Sequence, residues 1–330
     1  MEVCEFIRRT GDAVFRDEHK PRLAAFVKGT RDFIGESGLL ENMPAVFVDW
    51  SLSNQGEYTQ PISTSANALY AYMLCQLGDT FGEPEWVAEG QRVRELLRNA
   101  VVGDGEVATV TKVPDSFAVG DGKLRSREKF SEAAIFTALW SGLFTPDEAP
   151  ALFRTVRDKM GPAPIYAKDP MVGSSQLFIG LCIRLDLLCR MGAYDKMYED
   201  MLAICEPQLR EGPGTIWENQ SIDTSSRCHG FTAHMGVHLM RDVLGLGFCL
   251  HGEDGDGEPV LEIAPHVCGL RWARGTRETP EGIVSVDWRY DGESFSLRVT
   301  APKAYECRVT LPREVRMLDE SRVSVVLHQI

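Results

Sequence analysis

Apolar residues recur at helical spacing through residues 1–245 of the chain. The run 84–101, for example, begins with a proline and places its apolar residues on one face, with charges opposite. The run 174–191 is apolar nearly all round, which predicts a deeply buried helix. Helices are therefore predicted at 20–35, 62–77, 84–101, 131–143, 146–160, 174–191, 194–209 and 230–244, with long loops at 49–61, 102–129, 161–173 and 211–228.

The spacing changes at about residue 246, where the helical runs give way to alternating ones. Residues 251–258 form an acidic, glycine-rich turn, and the runs after it are rich in β-branched residues with turn signals between them. Helices followed by strands predict a mainly helical domain at 1–245 and a small antiparallel β-sandwich at 246–330. Strands are predicted at 259–263, 283–290, 295–300, 305–311 and 323–328.

The predicted helices are joined alternately by short turns and long loops, which is typical of an α/α toroid built from helical hairpins. In such a toroid the long loops gather at one end and form the site. Three of the loops hold the residues of interest, and two of these three place a carboxylate beside a tryptophan. We therefore expect the site to draw on Asp49, Trp50 and Glu57, on Glu128 and Glu132, and on Trp217 and Glu218.

Composition and charge exclude several classes of function. The chain has 330 residues and a formal net charge of −13, so it lacks the basic surface that nucleic acid or an anionic membrane requires. No apolar run approaches the roughly 18–20 residues of a membrane span, and the first residues lack the apolar core of a signal peptide. We predict neither a nucleic-acid nor a membrane partner.

The cysteines indicate a reducing compartment. The chain has 9 of them, an odd number, spread from Cys4 to Cys307 without a C-x-x-C pair. Several lie inside apolar helical runs, where cysteine acts as a small hydrophobic residue. We therefore expect reduced thiols and a cytoplasmic protein. The chain also contains no P-loop motif, and no cofactor is predicted.

Two neighbouring segments carry the most specific chemistry. Residues 215–218 read Thr-Ile-Trp-Glu, and residues 226–231 read Ser-Arg-Cys-His-Gly-Phe. An indole can stack on the apolar face of a sugar, and a carboxylate beside it can activate water. The histidine can donate a hydrogen bond to a sugar hydroxyl. The alternative interpretation is a helix that begins with Glu218 and a Trp217 that packs in the core.

Metal ligation is the less favoured interpretation of the remaining polar clusters. His234 and His238 are four residues apart, which is a spacing found in zinc sites, but the H-E-x-x-H arrangement is absent. The acidic cluster at 253–258 lacks the D-x-D-x-D-G pattern of a calcium loop. We interpret the histidines as ordinary helix residues and the cluster as a solvated turn, and we predict no metal site.

Taken in order, the motifs of the chain resemble the C-terminal two-thirds of bacterial α-L-rhamnosidases. No single motif is specific, but the ordered set covers nearly the whole chain. That family has a Thr-x-Trp-Glu motif, a Ser-x-x-His-Gly segment, an Ile-x-Pro element and a Thr-Pro-x-Gly turn, with Asp-Trp and Ser-Glu elements before them. The matching residues here are 215–218, 226–230, 263–265, 279–282, 49–50 and 131–132.

The resemblance implies an (α/α)6 barrel that hydrolyses terminal α-L-rhamnosides with inversion. It implies that Glu218 is the general base and that Trp217 and Trp50 line the sugar pocket. It further implies that His229 binds a sugar hydroxyl. By the same resemblance Asp49 is a substrate-binding residue, and Glu132 holds a hydroxyl or a loop at the rim.

One element of the family pattern is missing. The family's general acid lies in a segment before the Asp-Trp element, and this chain contains no match to that segment. The predicted helices are also too few for a complete barrel. The sequence therefore predicts a toroid that is incomplete at its N-terminus. Asp49, Glu57 and Asp223 are the substitute acids, and none has a supporting motif.

Two functions remain open from the sequence. The first is a glycoside hydrolase that releases α-L-rhamnose from a rhamnose-containing glycoside or oligosaccharide. The second is a truncated, non-catalytic homologue that binds sugar, or that needs a partner segment to supply the acid. For either one we predict that Trp50, Trp217 and His229 converge with Glu218 on one concavity. We also predict a homodimer or a complementing N-terminal segment, because an incomplete barrel leaves apolar helix faces uncovered.

Overall fold

The structure is a computed structural model that describes residues 2–162, 169–218, 226–250 and 259–330. The described residues form two compact units, the first from Val14–Ala193 and Glu199–Thr232, the second from Glu2–Ala13, Tyr194–Tyr198 and Ala233–Ile330. The predicted class of a mainly helical chain with a C-terminal β module is confirmed, since the longer strands lie at the C-terminal end. The toroid itself stays a prediction. The helices are α1 (Glu2–Thr10), α2 (Ala13–Thr30), α3 (Gly56–Thr59), α4 (Thr64–Phe81), α5 (Pro84–Val102), α6 (Glu132–Trp140), α7 (Pro150–Lys159), α8 (Cys182–Arg190), α9 (Tyr194–Glu211) and α10 (Met235–His238).

The strands divide between the two units. The first unit holds the three-stranded sheet β1-β2-β3 and the parallel pair β4-β5, and the second unit holds the sheets β12-β10-β9-β8 and β11-β7-β6. The strands are β1 (Ile62–Ser63), β2 (Ser116–Gly120), β3 (Lys123–Ser126), β4 (Phe130–Ser131), β5 (Val172–Gly173), β6 (Leu246–Leu250), β7 (Val260–Ile263), β8 (Trp272–Thr279), β9 (Gly282–Tyr290), β10 (Phe295–Ala301), β11 (Glu306–Val309) and β12 (Val323–Gln329).

The hairpin of α4 and α5 forms the centre of the helical unit. The Ser63 hydroxyl caps α4 by accepting a hydrogen bond from the Ala66 amide, and α5 begins at its proline. A Cβ on Gly90 would lie 2.7 Å from the Ala71 carbonyl oxygen, so the two helices approach closely there. α4 also runs past Gly78, where the sequence predicts its end, because Gly78 packs against α5 instead of turning the chain.

α6 connects this hairpin to the rest of the helical unit. It packs on α4 and α8, and nearly all of its residues are buried. Ser131 caps it, with the hydroxyl accepting a hydrogen bond from the Ala134 amide. The cap and the carboxylate of Glu132 therefore lie at the end of the helix where the loops 102–129 and 161–173 meet it.

The second unit contains mixed sheets, where the sequence predicts antiparallel ones. β9 and β10 alternate inward and outward residues, so that Val286, Trp288 and Leu297 are buried. The chain leaves β10 for β11 in the other sheet and then returns as β12. Because it crosses between sheets twice, β12 pairs parallel with β10, and β11 pairs parallel with β7.

Among the described residues, no helix combines the length and the apolar character that are needed to cross a membrane.

Candidate functional site

The two motif segments of the loop region lie side by side in opposite directions. The Glu218 amide donates to the Ser226 carbonyl at 2.9 Å, and the His229 amide donates to the Ile216 carbonyl at 3.0 Å. The Thr215 hydroxyl donates to the carbonyl of residue 227. This pairing brings the Trp-Glu motif and the Ser-Arg-Cys-His-Gly motif together on a short ladder of backbone hydrogen bonds.

The Glu218 carboxylate is partly exposed at this ladder. Its Oε2 atom accepts a hydrogen bond from the Ser226 amide at 3.1 Å. The His229 ring stacks against Phe231, with centroids 5.5 Å apart and an interplanar angle of 25°. The backbone thus fixes the position of the carboxylate while it keeps contact with solvent, as a residue that activates water requires.

Trp217 is oriented by the helix that precedes it. Its side chain is 2% exposed, and its backbone amide donates to Gln208 Oε1 at 2.9 Å. A Cβ on Gly212 would lie 2.6 Å from the indole, so the residue that ends α9 must be small. The structure places the indole in the core, and its place in a sugar pocket stays a prediction.

Trp50 is the exposed tryptophan of the predicted set. Its side chain is 58% exposed, and its ring meets Phe47 edge to face at a centroid distance of 5.1 Å. An exposed aromatic face supported by a second ring is suited to stacking on a sugar.

The carboxylates of Asp49 and Glu132 accept hydrogen bonds from the backbone amides of two consecutive residues. The Gln176 amide donates to Asp49 Oδ2 at 2.9 Å, and the Ser175 amide donates to Glu132 Oε2 at 2.9 Å. Both carboxylates are buried, at 0% and 2% exposure. A Cβ on Gly180 would lie 2.7 Å from Asp49 Oδ2, so only glycine fits beside this pair.

The environment of Asp49 favours its protonated form. Burial raises the pKa of the Asp49 carboxyl to about 6, and the charge of Glu132 adds to this rise. The hydrogen bond from the Gln176 amide and the nearby Ser175 hydroxyl act in the opposite direction but do not offset the burial. The Asp49 carboxylate contacts the backbone amide of Gln176, and the residue has no exposed surface.

Glu132 also lines a cleft of about 590 Å³ in the helical unit. Two other lining residues, Lys112 and Asp169, form an ion pair at 2.6 Å. Glu132 thus lies at the wall of a cleft, and its role as a rim residue stays a prediction. The other lining residues are Thr111, Thr155, Asp158, Lys159, Met160 and Val172.

The other two substitute acids differ in how they are placed. Glu57 forms an exposed ion pair with Lys129 at 3.2 Å. Asp223, like the acidic turn at 251–258, lies outside the described residues. Among the residues that the structure describes, the predicted ones form two local groups. One is Asp49 with Glu132, and the other is Trp217 and Glu218 with His229; their convergence on one concavity stays a prediction.

Asp115 is a buried acid that the sequence analysis does not identify. Its Oδ1 atom accepts a hydrogen bond from the Ser131 hydroxyl at 2.7 Å, so it supports the residue that caps α6 beside Glu132. Burial raises the pKa of the Asp115 carboxyl to about 7, against the two hydrogen bonds from Ser131. The only sequence signal is its place in the predicted loop 102–129, which gives no indication of the contact with Ser131.

We expect Asp115→Asn to flatten the pH dependence of stability. The folded state keeps a proton on Asp115 up to a pKa of about 7, whereas the ordinary value is 3.8. The free energy of unfolding should therefore fall as the pH rises from about 4 to about 7, because the unfolded chain releases this proton first. Urea denaturation at about pH 5 and about pH 8 measures the change. A variant that loses the same stability as the wild type over this range would contradict the assignment.

Comparison with known proteins gives one match to a domain family and several to solved structures. Residues 260–324 match the family described as bacterial alpha-L-rhamnosidase C-terminal domain. The chain is similar to the structure of a GH78 family rhamnosidase of Bacillus sp. GL1, with 22% sequence identity and a TM-score of 0.79, over 99% of this chain and 33% of that one. It is also similar to the α-L-rhamnosidase from Dictyoglumus thermophilum, with 16% identity and a TM-score of 0.67, over 94% of this chain and 34% of that one. A comparison with curated proteins gives no match.

These matches confirm the resemblance to α-L-rhamnosidases that the motifs indicate. At these sequence identities, the structural likeness shows the fold. The chain spans about one third of the length of the two structures.

Proposed function

We propose that the chain takes part in the inverting hydrolysis of terminal α-L-rhamnosides, with Glu218 as the base that activates water. The observation that carries this proposal is the ladder between residues 215–218 and 226–229, which holds a partly exposed carboxylate beside His229. The rhamnosidase-type domain at 260–324 and the likeness in fold support the choice of sugar.

The proposed chemistry assigns one task to each residue. The Glu218 carboxylate takes a proton from the water that attacks the anomeric carbon. Its Oε2 atom is held by the Ser226 amide, so Oε1 is the oxygen that would accept the water proton. Trp50 provides an exposed aromatic face for the sugar ring, and His229 donates to a hydroxyl.

The mechanism also requires a second carboxyl group, which would act as the general acid. Inversion needs an acid roughly 6.5–9.5 Å from the base, on the other side of the scissile bond. Asp49 has the raised pKa of such an acid, but its side chain has no exposed surface. We therefore place Asp49 and Glu132 behind the loops as positioning residues, and we assign the acid to neither of them.

Two substrates test the general base and the general acid of the mechanism separately. A 2,4-dinitrophenyl α-L-rhamnoside has a leaving group that departs without protonation, whereas a methyl α-L-rhamnoside needs a general acid. We expect hydrolysis of the aryl substrate with β-L-rhamnose as the first product in an NMR time course. Hydrolysis of the methyl glycoside as well would show that an acid is supplied. Absence of turnover on both substrates, with rhamnose still bound, would overturn the hydrolase in favour of a sugar-binding homologue.

We also propose that α2 is covered by a second copy of the chain or by a complementing segment. Among its residues only Val27 is buried, whereas Val14 and Phe26 are exposed. The proposal rests on the incomplete barrel that the sequence predicts, whose uncovered helix faces would form the kind of apolar patch that marks an interface. Light scattering should give a dimer, and Phe26→Glu should shift it toward the monomer. A wild-type monomer to which no N-terminal segment of a related rhamnosidase binds would contradict the proposal.

The buried thiols support a cytoplasmic location. Burial raises the pKa of both Cys75 and Cys268, the latter to about 12, so both remain protonated at neutral pH. Protonated buried thiols react slowly. Cysteines that stay free of disulfides, as the described ones do, are typical of proteins that work in a reducing compartment.

A further inference from the structure

The second unit carries a histidine pair that the proposed hydrolysis does not use. His234 ends a short 3₁₀ turn, Gly230–His234, and His238 ends α10. The two Nε2 atoms lie 3.0 Å apart, and the rings meet edge to face with an interplanar angle of 78°. His238 is buried, and His234 is partly exposed, so the pair can be reached from the side of His234.

Asp242 fixes the ring of His238. Its Oδ2 atom lies 2.6 Å from His238 Nδ1, and Arg241 donates to both carboxylate oxygens, each at 2.9 Å. A carboxylate that accepts from Arg241 in this way also accepts the proton of His238 Nδ1. The lone pair of His238 therefore lies on Nε2, the ring nitrogen nearest to His234.

The backbone supports this arrangement. The helix widens into a π-helical turn at Leu239–Val243, directly after His238, and the Leu244 amide donates to the Leu239 carbonyl at 2.9 Å. This turn contains Asp242. π-helical turns of this kind are frequent at functional sites because they re-aim side chains within a helix.

We propose that His234 Nε2 and His238 Nε2 bind one divalent transition-metal ion of the Ni²⁺ or Cu²⁺ class, with water in the other positions. Two nitrogens at about 2.1 Å from one ion are about 3.0 Å apart when they subtend about 90° at it. That separation is the observed one. Imidazole suits these ions, and a carboxylate on the other ring nitrogen is the usual partner of a metal-binding histidine. This proposal is independent of the sugar chemistry.

The alternative explanation of the short contact is a hydrogen bond between the rings, in which His234 donates from Nε2 to His238. On that explanation no ion is held more tightly than at other surface histidines. Binding of an ion moves the His234 proton to Nδ1, so the two explanations differ in their response to added metal.

Titration of the full chain with Co²⁺, followed by visible absorption, tests the proposal. We expect one saturable site whose spectrum has weak ligand-field bands and no intense thiolate charge-transfer band, because its protein ligands are nitrogens. His234→Ala should weaken Co²⁺ binding by at least about tenfold, and Asp242→Asn should weaken it by about 10–100-fold. His328→Ala, on the exposed strand β12, is the matched control and should bind as the wild type does.

Three results would overturn the proposal. They are the absence of saturable binding, equal binding by His234→Ala and the wild type, and a thiolate band that assigns the ion to cysteine. His234 is the residue substituted first, because removal of the buried His238 can disturb the fold. Circular dichroism checks that each variant is folded. A higher Tm with Ni²⁺ in the wild type, absent in His234→Ala, gives the same answer without cobalt.

Discussion

Glu218→Gln is expected to lower the turnover of an aryl α-L-rhamnoside by roughly 10²–10⁴-fold, which is the usual contribution of general acid–base catalysis. Glutamine keeps the size of the side chain, and its Oε1 can still accept the hydrogen bond from the Ser226 amide. It lacks the charge that removes a proton from water. Binding of rhamnose should change little, because the exposed face of Trp50 remains.

Glu211→Gln is the matched control, since Glu211 is an exposed carboxylate at the end of α9. It should leave turnover unchanged. Both variants should melt close to the wild type, because neither carboxylate is buried. A Glu218→Gln protein that keeps its turnover but melts at a lower temperature would assign Glu218 to structure. In that case the ladder at 215–218 would serve to hold the loop rather than to catalyse.

Local sequence signals located most of the helices but not all of their ends. The periodic run at 84–101 and its proline predict α5 nearly to the residue. Gly78 gives a wrong end for α4. A glycine in a helical run usually indicates the end of the helix, but here it leaves room for Val87 of the neighbouring helix α5. α2 begins before the predicted residue 20 and includes Pro21, and α1 is not predicted at all.

The strands that the sequence analysis misses depend on partners far along the chain. β6 and β8 lie in runs without a clear alternation, and each forms by pairing with β7 or β9. The hairpin of β2 and β3 lies within the predicted loop 102–129 and carries the Gly-Asp-Gly turn signal at 120–122. The parallel pairing of β12 with β10 depends on the crossover between the two sheets, which no local pattern encodes.

The contacts of the candidate site also fall into those that the sequence predicts and those that it does not. The pairing of residues 215–218 with 226–229 follows from motifs a few residues apart, and the resemblance identifies both. The contacts of Asp49 with Gln176 and of Asp115 with Ser131 join residues from different loops, and a single sequence gives no signal for them. Burial of Trp217 rests on Gln208 and Gly212, which only the packed helix brings near.

Arg184→Met is expected to cost about 3–5 kcal/mol of unfolding free energy, as the removal of one partner from a buried ion pair does. Arg184 and Asp200 are both fully buried, and Arg184 Nε donates to Asp200 Oδ2 at 2.6 Å. The guanidinium also donates to the carbonyl of Val156 and, at 3.2 Å, to that of Arg157, both in the last turn of α7. Methionine fills the space but leaves a buried charge and two carbonyls without these donors.

A second variant separates the charge from the packing. Arg184→Met combined with Asp200→Leu should recover much of the loss, because replacing a whole buried pair with apolar residues is often neutral. Arg210→Met removes the exposed pair with Glu206 and should cost at most about 1 kcal/mol. Urea denaturation of the three variants measures these differences. If Arg184→Met lost no more unfolding free energy than Arg210→Met, the result would contradict the idea that the buried ion pair holds α7 and α9 to α8. The apolar contacts of those helices would then carry the stability of this part of the unit.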